Sequence, residues 1–324
     1  MSPPRPSSAE RQQEPPRPAV ARAHLFIVGS ARTGSTLLRH VLNRAPEVCL
    51  ASETHYMAWA RRVGLERLLR EVRDGGRRAD KLATLAAYFY RPEAWIWLRR
   101  NVDQDEFARG LAATDLSLRS AFELLMELYA QRRCGIAPGE GIIGEKTPDH
   151  LRHVPTLVEW FPDARIIHTF RDPRAIYASQ LRRTREGRWG LKARLPRLPS
   201  LLADPLLAPM EAVHTARAWR DAARLHEDYG GSLGARYRLV RFEDLVARPE
   251  LEIRSICEFA GITYRPELVE GIDVVGSSFH AVRHSSSGFD STTVGRWRDE
   301  LHPLARSWFS MVLRGRLDAF GYDR

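Results

Sequence analysis

The chain has 324 residues, of which 44% are hydrophobic, so it is long enough to bury the core of one large domain or two smaller ones. Its formal net charge is +10, and only three of its 50 basic residues are lysines. No apolar run approaches the ~20 residues that cross a bilayer, and the N-terminus lacks the apolar core of a secretion signal, so we expect a cytoplasmic protein without a membrane span.

The excess of arginine is spread along the chain. Nucleic-acid-binding proteins usually concentrate their basic residues on one face or element, so this dispersal argues against nucleic acid as a partner. A small polyanionic ligand fits the charge better, provided that particular arginines can be placed around it.

Residues 1–22 are rich in Pro, Ser, Arg and Gln and contain too few apolar residues to offset the entropy cost of ordering, so we predict a disordered tail. Residues 23–324 are then a single folded domain. The three cysteines, Cys49, Cys134 and Cys257, are odd in number and far apart in sequence. This pattern suggests neither a disulfide framework nor a zinc site, and we predict that all three are small core residues.

The first predicted unit is a strand, a loop and a helix. The apolar run HLFIV, residues 24–28, ends at Gly29 and reads as a buried strand entering a tight loop. The segment STLLRHVLNRA, residues 35–45, has apolar residues at helical spacing and is closed by Pro46. Apolar residues then recur at three-to-four spacing through residues 55–134, which predicts several helices.

A second unit of the same kind begins with ARIIHTF, residues 164–170, and continues into RDPRAIYASQLRR, whose proline suits the first turn of a helix. Residues 185–210 contain several prolines and no clear period, so we expect a long excursion over the surface. Residues 211–230 form an amphipathic helix that ends at glycine. A third strand is predicted at YRLVRF, residues 237–242, followed by a turn and another helix.

This alternation of strands and helices predicts the α/β class, with a central parallel sheet flanked by helices and a long helical insertion after the first strand–loop–helix unit. Ligands of such sheets bind beyond the carboxyl ends of the strands. Both the loop after residue 28 and the segment after residue 170 are expected at that edge.

The loop GSARTGST, Gly29–Thr36, has the glycine spacing of a nucleotide-phosphate loop, but Ser35 stands where such a loop carries its lysine. Backbone N–H groups at a helix N-terminus bind anions whatever the side chains are. The positive charge lies three residues earlier, at Arg32. Without the lysine, and without an acidic residue placed to hold magnesium, phosphoryl transfer from ATP is poorly supported.

These residues resemble a known family. The loop is similar to the 5′-phosphosulfate loop of sulfotransferases that use 3′-phosphoadenosine 5′-phosphosulfate (PAPS), although Ala31 replaces the usual proline. The family also carries an arginine followed eight residues later by a serine, which bind the 3′-phosphate, and Arg171 and Ser179 match that pattern. The resemblance therefore implies a PAPS site, with adenosine 3′,5′-bisphosphate as product, formed by Arg32, Thr33, Gly34, Ser35, Thr36, Arg171 and Ser179.

Further segments resemble protein-tyrosine sulfotransferases and their bacterial relatives. In APEVCLASETHY, Glu53 takes the place of the catalytic base of these enzymes, and in GIIGEKTPDHL, Lys146 takes the place of a lysine at the transferring group. The segment HSSSGFDSTTVGRWRDEL resembles the part that closes over the nucleotide. This match is the loosest of the three. It implies that Ser286 is a catalytic contact and that Arg296 contacts the nucleotide donor.

The resemblance implies in-line sulfuryl transfer without a covalent intermediate. Glu53 would take the proton of the acceptor hydroxyl, a task that partial burial raising its pKa would favour, and His55 is the alternative base. Arg32 and Lys146 would stabilise the charge that grows on the departing group. Arg183, four residues after Ser179, shares its helical face and is added to the donor site.

Two other functions stay open on the sequence. One is a P-loop-type nucleotide kinase, and the other is a non-catalytic module that binds a nucleotide or a nucleic acid. The acceptor can be a tyrosine, a sugar or a small-molecule hydroxyl, since scaffolds of this kind vary around a constant donor site. No metal is predicted, because His150 and His153 have no evident third ligand nearby.

Overall fold

In the computed structural model, the described residues are 21–75, 78–90, 96–185, 200–272 and 288–323. A parallel sheet lies at the centre, and its strands follow the order β2-β3-β1-β4-β5. The strands are β1 (Ala23–Gly29), β2 (Val48–Ser52), β3 (Ile142–Lys146), β4 (Arg165–Phe170) and β5 (Tyr237–Arg241). The predicted α/β class is therefore confirmed, and β1 is the central strand.

The three predicted strands correspond to β1, β4 and β5, whereas the sequence analysis missed β2 and β3. Each missed strand has only five residues. The β3 sequence IIGEK also contains two charged residues, and a continuous apolar run is the usual sign of a strand buried on both faces. Gly144 shows why the position after its isoleucines is not apolar: a Cβ there would lie 1.9 Å from the Leu25 carbonyl oxygen of β1.

Helices cover both faces of the sheet. Between the first two strands lies α1 (Ser35–Leu42). The insertion between β2 and β3 contains α2 (Tyr56–Val63), α3 (Leu65–Asp74), α4 (Arg78–Phe89), α5 (Ile96–Asn101), α6 (Gln104–Ala112) and α7 (Leu118–Cys134). The predicted helical character of residues 55–134 is thus confirmed.

The second half of the chain continues the alternation. A 3₁₀ turn, Pro148–His153, leads into α8 (Val154–Trp160), and α9 (Pro173–Arg185) follows β4. The remaining helices are α10 (Ser200–Leu233), α11 (Phe242–Ala247), α12 (Pro249–Ala260), α13 (Trp297–Glu300), α14 (Pro303–Val312) and α15 (Arg314–Ala319). None of the helices in the described ranges combines the length and the apolar character needed to cross a bilayer.

The predicted surface excursion over residues 185–210 is wrong from residue 200 onward, because α10 already begins at Ser200. Packing against α9 accounts for this: Leu207 is buried, and the Tyr177 hydroxyl of α9 donates to the Ala208 carbonyl at 2.9 Å. Such tertiary contacts override the prolines that obscure the helical period. Residues 186–199 lie outside the described residues, as does the predicted disordered tail up to residue 20.

Alternation along β1 divides the core into two layers, as expected for a strand with neighbours on both faces. Phe26 and Val28 pack with the helical insertion on one face, while Leu25 and Ile27 pack with α1 and α12 on the other. Both layers of the core therefore pack against β1. The carboxyl edge of the sheet, where β1 passes into its loop, is therefore held from both sides.

Two of the three cysteines differ from the prediction. Cys49 of β2 and Cys134, the last residue of α7, form a disulfide, whereas Cys257 is buried with a free thiol, as expected. The partners are 85 residues apart in sequence, so only the return of α7 along β2 brings them together. The disulfide joins the helical insertion to the edge strand of the sheet.

Reduction of this disulfide is expected to lower the free energy of unfolding by about 2–4 kcal/mol, because the crosslink restricts the unfolded chain over an 85-residue loop. Urea unfolding of the wild type with and without a reductant measures the change. The double variant Cys49→Ala/Cys134→Ala is the control, since its stability should not respond to the reductant. Equal stabilities of the oxidised and reduced wild type would contradict the expectation.

Candidate functional site

The loop between β1 and α1 is built to present its backbone. Arg32 and Gly34 both have positive φ angles, of 73° and 83°, and α1 begins at the next residue, Ser35. Successive N–H groups in such a turn, together with the N-terminus of a helix, form a concave site for an anion. The backbone of the predicted loop therefore has a geometry that could receive an anion.

The side chains around this loop hold it in place. Thr33 Oγ1 donates to the Ser30 carbonyl at 2.8 Å and lies 2.7 Å from Thr169 Oγ1 at the end of β4. Gly34 packs against the ring of Phe242, where an added Cβ would lie 2.4 Å from a ring carbon. Thr33 is thus buried beneath the loop, and it is the backbone of this residue that remains for a ligand.

The second expected site lies directly beside the loop. Arg171, at the carboxyl end of β4, donates from Nη1 to the Arg32 carbonyl at 3.2 Å and from Nη2 to the Thr293 carbonyl at 3.2 Å. Its guanidinium stacks over the Phe242 ring, 4.1 Å from the ring centroid. Ser179 of α9 accepts a hydrogen bond of 2.8 Å from Arg32 Nε. The structure therefore brings Arg32, Arg171 and Ser179 together.

Positive charge is concentrated at this point. Burial, and then the neighbouring Arg183, Arg171 and Arg182, lower the pKa of Arg32 to about 10. Burial lowers the pKa of Arg171 to about 10 as well, although Glu243 opposes the shift. Crowded, buried guanidinium groups are costly unless an anion compensates them.

One N–H group of Arg171 is free to donate a hydrogen bond to an anion. Arg171 Nε is buried and has no hydrogen-bond partner among the residues that the structure describes. Arg183, predicted from its position on α9, is half-buried and is the strongest charged neighbour of Arg32. Arg182 instead forms an ion pair with Glu300 of α13. The planar guanidinium groups of Arg171 and Arg183 suit the oxygens of a phosphate.

Of the two residues predicted from the C-terminal segment, Arg296 lies within the described residues and Ser286 does not. Arg296 Nη2 is bonded within its own turn, to Asp290 Oδ2 at 2.8 Å and Thr292 Oγ1 at 2.8 Å. Its neighbour Thr293 contacts Arg171 through the backbone, so this turn does border the arginine cluster. Ser286 lies outside the described residues.

The second pair of predicted residues meets at the ends of the two missed strands. Lys146, the last residue of β3, forms an ion pair through Nζ with Glu53 Oε1, immediately after β2. The Lys146 side chain is only 3% exposed, whereas that of Glu53 is 46% exposed. Parallel pairing of Ser52 with Lys146 places the two side by side. A buried ammonium and a half-exposed carboxylate thus face each other at the carboxyl edge.

The pKa of Glu53 moves in the direction opposite to the one expected. His55 and Lys146 outweigh partial burial and lower the pKa of Glu53 to about 2. Burial lowers the pKa of Lys146 despite the attraction of Glu53. Glu53 is therefore a carboxylate at any neutral pH, and its basicity is limited while the ion pair persists.

His55 stands between two carboxylates. Its Nε2 lies 3.7 Å from Glu53 Oε2, and its Nδ1 lies 3.7 Å from Asp149 Oδ2. Glu53 and Asp149 raise the pKa of His55, against the effect of burial. Asp149 is not among the residues predicted from the sequence; it lies in the TPDH segment that follows Lys146, and its side chain is 76% exposed at the rim.

Phe242 is the other residue of this edge that the sequence analysis did not identify. Its apolar character marked it only as part of a strand, yet it separates Gly34 from Arg171. Within the part of the chain that the structure describes, no group of three or more His, Cys, Asp and Glu side chains could hold a metal ion. The carboxyl edge of the sheet therefore combines a cluster of arginines with a half-exposed carboxylate and a buried ammonium.

Comparisons with known proteins relate the chain to one family of enzymes. The sequence model of the sulfotransferase family matches residues 24–266. The chain is 26% identical over 302 residues to carbohydrate sulfotransferase 6 of Homo sapiens, covering 84% of this chain and 70% of the relative. It is 26% identical to carbohydrate sulfotransferase 5 of Mus musculus, covering 96% and 84%. The sulfotransferase domain of the Synechococcus PCC 7002 olefin synthase shares the fold, with a TM-score of 0.56, 19% identity and coverage of 97% and 100%.

Gly34 provides a test of the loop. We expect Gly34→Ala to weaken the binding of adenosine 3′,5′-bisphosphate about 10-fold, because the new methyl group overlaps the Phe242 ring and the positive φ is strained. Gly64→Ala is the matched control, since Gly64 has a φ of +64° and no atom within 4 Å of the added Cβ. Calorimetric titration of both variants decides the point, and equal affinities would show that the loop does not depend on this contact.

Proposed function

Because the chain belongs to the sulfotransferase family, we propose that it transfers a sulfuryl group from PAPS to a hydroxyl group of a sugar. The observation that carries the proposal is the position of Arg32. Its carbonyl accepts from Arg171, and its side chain donates to Ser179, so two anion-binding segments meet at one residue. PAPS carries a phosphosulfate and a 3′-phosphate on one nucleoside, which is the ligand that two adjacent anion sites suit.

In this proposal the loop holds the phosphosulfate end of the donor. The backbone of residues 32–34 and the N-terminus of α1, with Ser35 and Thr36, would receive its oxygens. Arg171, Ser179 and Arg183 would bind the 3′-phosphate. The buried, unpartnered Nε of Arg171 and the charge crowding around Arg32 support this division of roles.

Sulfuryl transfer breaks the S–O bond to the donor phosphate and forms an S–O bond to the acceptor oxygen, which gives up its proton. Glu53 would accept that proton, and Lys146 and Arg32 would stabilise charge on the departing and transferring oxygens. The contact between Lys146 and Glu53 supports this assignment, since it places a cation and a base at one point of the edge. When Lys146 turns to the transferring group, Glu53 loses one of the two groups that hold its pKa at about 2 and becomes more basic.

His55 is the alternative base, and its raised pKa makes it the stronger one of the two. Its contact with Glu53 also allows a joint arrangement, in which the imidazole orients the carboxylate. The pH dependence of the reaction separates these roles, because the base must be unprotonated to act.

The proposed acceptor follows from the relatives named carbohydrate sulfotransferases. Half-exposed Glu53 and His55 and exposed Asp149 offer hydrogen-bond acceptors and a donor to a polyol at the rim. A tyrosyl or small-molecule hydroxyl is the competing outcome, and a screen of all three acceptor types with labelled PAPS distinguishes them. Magnesium-dependent ATP turnover without binding of adenosine 3′,5′-bisphosphate would favour a nucleotide kinase. A non-catalytic module would transfer nothing.

Arg171→Ala is expected to cost adenosine 3′,5′-bisphosphate about 1.5–3 kcal/mol of binding free energy, the value of a lost hydrogen bond to a charged group. Adenosine 5′-monophosphate, which lacks the 3′-phosphate, should lose much less. Ser179→Ala should shift the same preference by a smaller amount, because it leaves the contacts of Arg171 intact. Calorimetry with both nucleotides measures the difference. Equal losses for the two nucleotides would refute the 3′-phosphate assignment.

Glu53→Gln is expected to lower turnover about 100-fold and to leave the affinity for adenosine 3′,5′-bisphosphate nearly unchanged, because the carboxylate acts on the acceptor. The pH profile of the wild type adds a second criterion. If Glu53 is the base, activity persists down to pH 5, since the pKa of Glu53 is about 2. A loss of activity as the pH falls through the neutral range, together with a loss of turnover in His55→Gln at every pH, would assign the base to His55, whose pKa is raised.

A further inference from the structure

Four polar side chains are buried behind the Lys146–Glu53 pair, and the proposed chemistry does not use them. Each of these residues is at most 2% exposed: Thr54, Glu145, Thr147 and His150. Their centre is the Glu145 carboxylate. Oε2 accepts from Thr54 Oγ1 and, at 3.0 Å, from Thr147 Oγ1, while Oε1 contacts His150 Nδ1.

His150 links the Glu145 carboxylate to the next helix. Its Nδ1 lies against Glu145 Oε1, and the Met57 backbone N–H of α2 donates to its Nε2 at 3.4 Å. Burial disfavours the charged form of Glu145, but His150 and the two hydroxyls outweigh burial and lower the pKa of Glu145. The buried carboxylate is therefore surrounded by groups that stabilise its charge.

This cluster also determines the path of the chain through the active edge, by which we mean the carboxyl edge of the sheet where Glu53, His55, Lys146 and Asp149 lie. Thr54 lies between Glu53 and His55, and its backbone N–H donates to Thr147 Oγ1 at 3.0 Å. Its hydroxyl accepts from the Tyr56 N–H at 3.1 Å. The backbone that carries Glu53 and His55 is therefore attached to the cluster on both sides of Thr54, although both side chains reach the surface.

The remaining members are adjacent in sequence to the other active-edge residues. Glu145 precedes Lys146 on β3, so the two side chains point to opposite faces of the sheet. His150 follows Asp149, whose carboxylate lies 3.7 Å from His55. One carboxylate thus connects the three segments that present Glu53, His55, Lys146 and Asp149.

We infer that Glu145, acting through Thr54, is a positioning residue that sets the approach of Glu53 and His55 to Lys146. The inference rests on the proposed roles of Glu53 and Lys146. A merely structural cluster would stabilise the fold without affecting turnover or the ionisation of His55 in the folded protein. A positioning cluster affects both, because a displacement of about 1 Å at a reacting group can cost on the order of 100-fold in rate.

Two substitutions at Thr54 separate these roles. Thr54→Val keeps the shape and removes the hydroxyl, whereas Thr54→Ser keeps the hydroxyl. We expect Thr54→Val to lower kcat about 10- to 100-fold with the affinity for adenosine 3′,5′-bisphosphate unchanged, and Thr54→Ser to restore kcat. Thr147→Val carries the same test if Thr54→Val does not fold. Thr114→Val is the control, since Thr114 Oγ1 donates to the Leu111 carbonyl in the turn between α6 and α7.

A second measurement does not require activity. The pKa of the His55 imidazole, followed by NMR in the wild type, should lie above 6.5, because Glu53 and Asp149 surround it. It should return toward 6.5 in Thr54→Val and stay raised in Thr54→Ser and Thr114→Val.

An unchanged kcat and an unchanged His55 pKa in folded Thr54→Val would overturn the inference. If Thr54→Val is unchanged but Glu53→Gln loses turnover, the inference fails and the proposed function still stands. If the wild type transfers no sulfuryl group, the proposed function fails, and the His55 titration alone still decides whether Thr54 positions this loop.

Discussion

The hydrogen bonds that join Arg32 to Arg171 and Ser179 are the contacts on which the proposed site depends. They connect the loop after β1 to the segment after β4, which are neighbours only because the two strands pair in parallel. Thr33 adds a second link between the same two segments, since its Oγ1 lies 2.7 Å from Thr169 Oγ1 of β4. Phe242 completes the contact, since its ring packs against Gly34 and Arg171 stacks over it. In the proposed function, a single nucleotide with two anionic ends binds across this junction.

Two buried ionic groups of the active edge have partners that stabilise their charge. Lys146 faces Glu53 on one side of β3, and Glu145 faces two hydroxyls and an imidazole on the other. Around Arg32 the balance of charge is positive, because, beyond the effect of burial, Arg183, Arg171 and Arg182 lower its pKa more than Glu53 raises it. In the proposed function, an anionic ligand compensates this positive charge.

The choice of lysine at position 146 agrees with this difference between the Lys146–Glu53 pair and the arginine cluster. Arginine supplies nearly all of the positive charge of the chain, yet the residue at the end of β3 is a lysine whose side chain is almost wholly buried. A compact ammonium fits a narrow space between strands, where a planar guanidinium would need more room and more acceptors. The disulfide and the helical insertion hold β2, and with it Glu53, against this lysine from the outer edge of the sheet.

The sequence by itself determined the α/β alternation, because apolar runs and glycine spacing are local features. Its motifs also singled out residues that the structure brings together in two groups, Arg32 with Arg171 and Ser179, and Glu53 with Lys146. Only the tertiary structure decided the rest. The strands β2 and β3, the Cys49–Cys134 disulfide, the start of α10 at Ser200 and the contact of Glu53 with Lys146 all depend on partners far away in sequence. Lys146 lies 93 residues after Glu53, and no local pattern contains that contact.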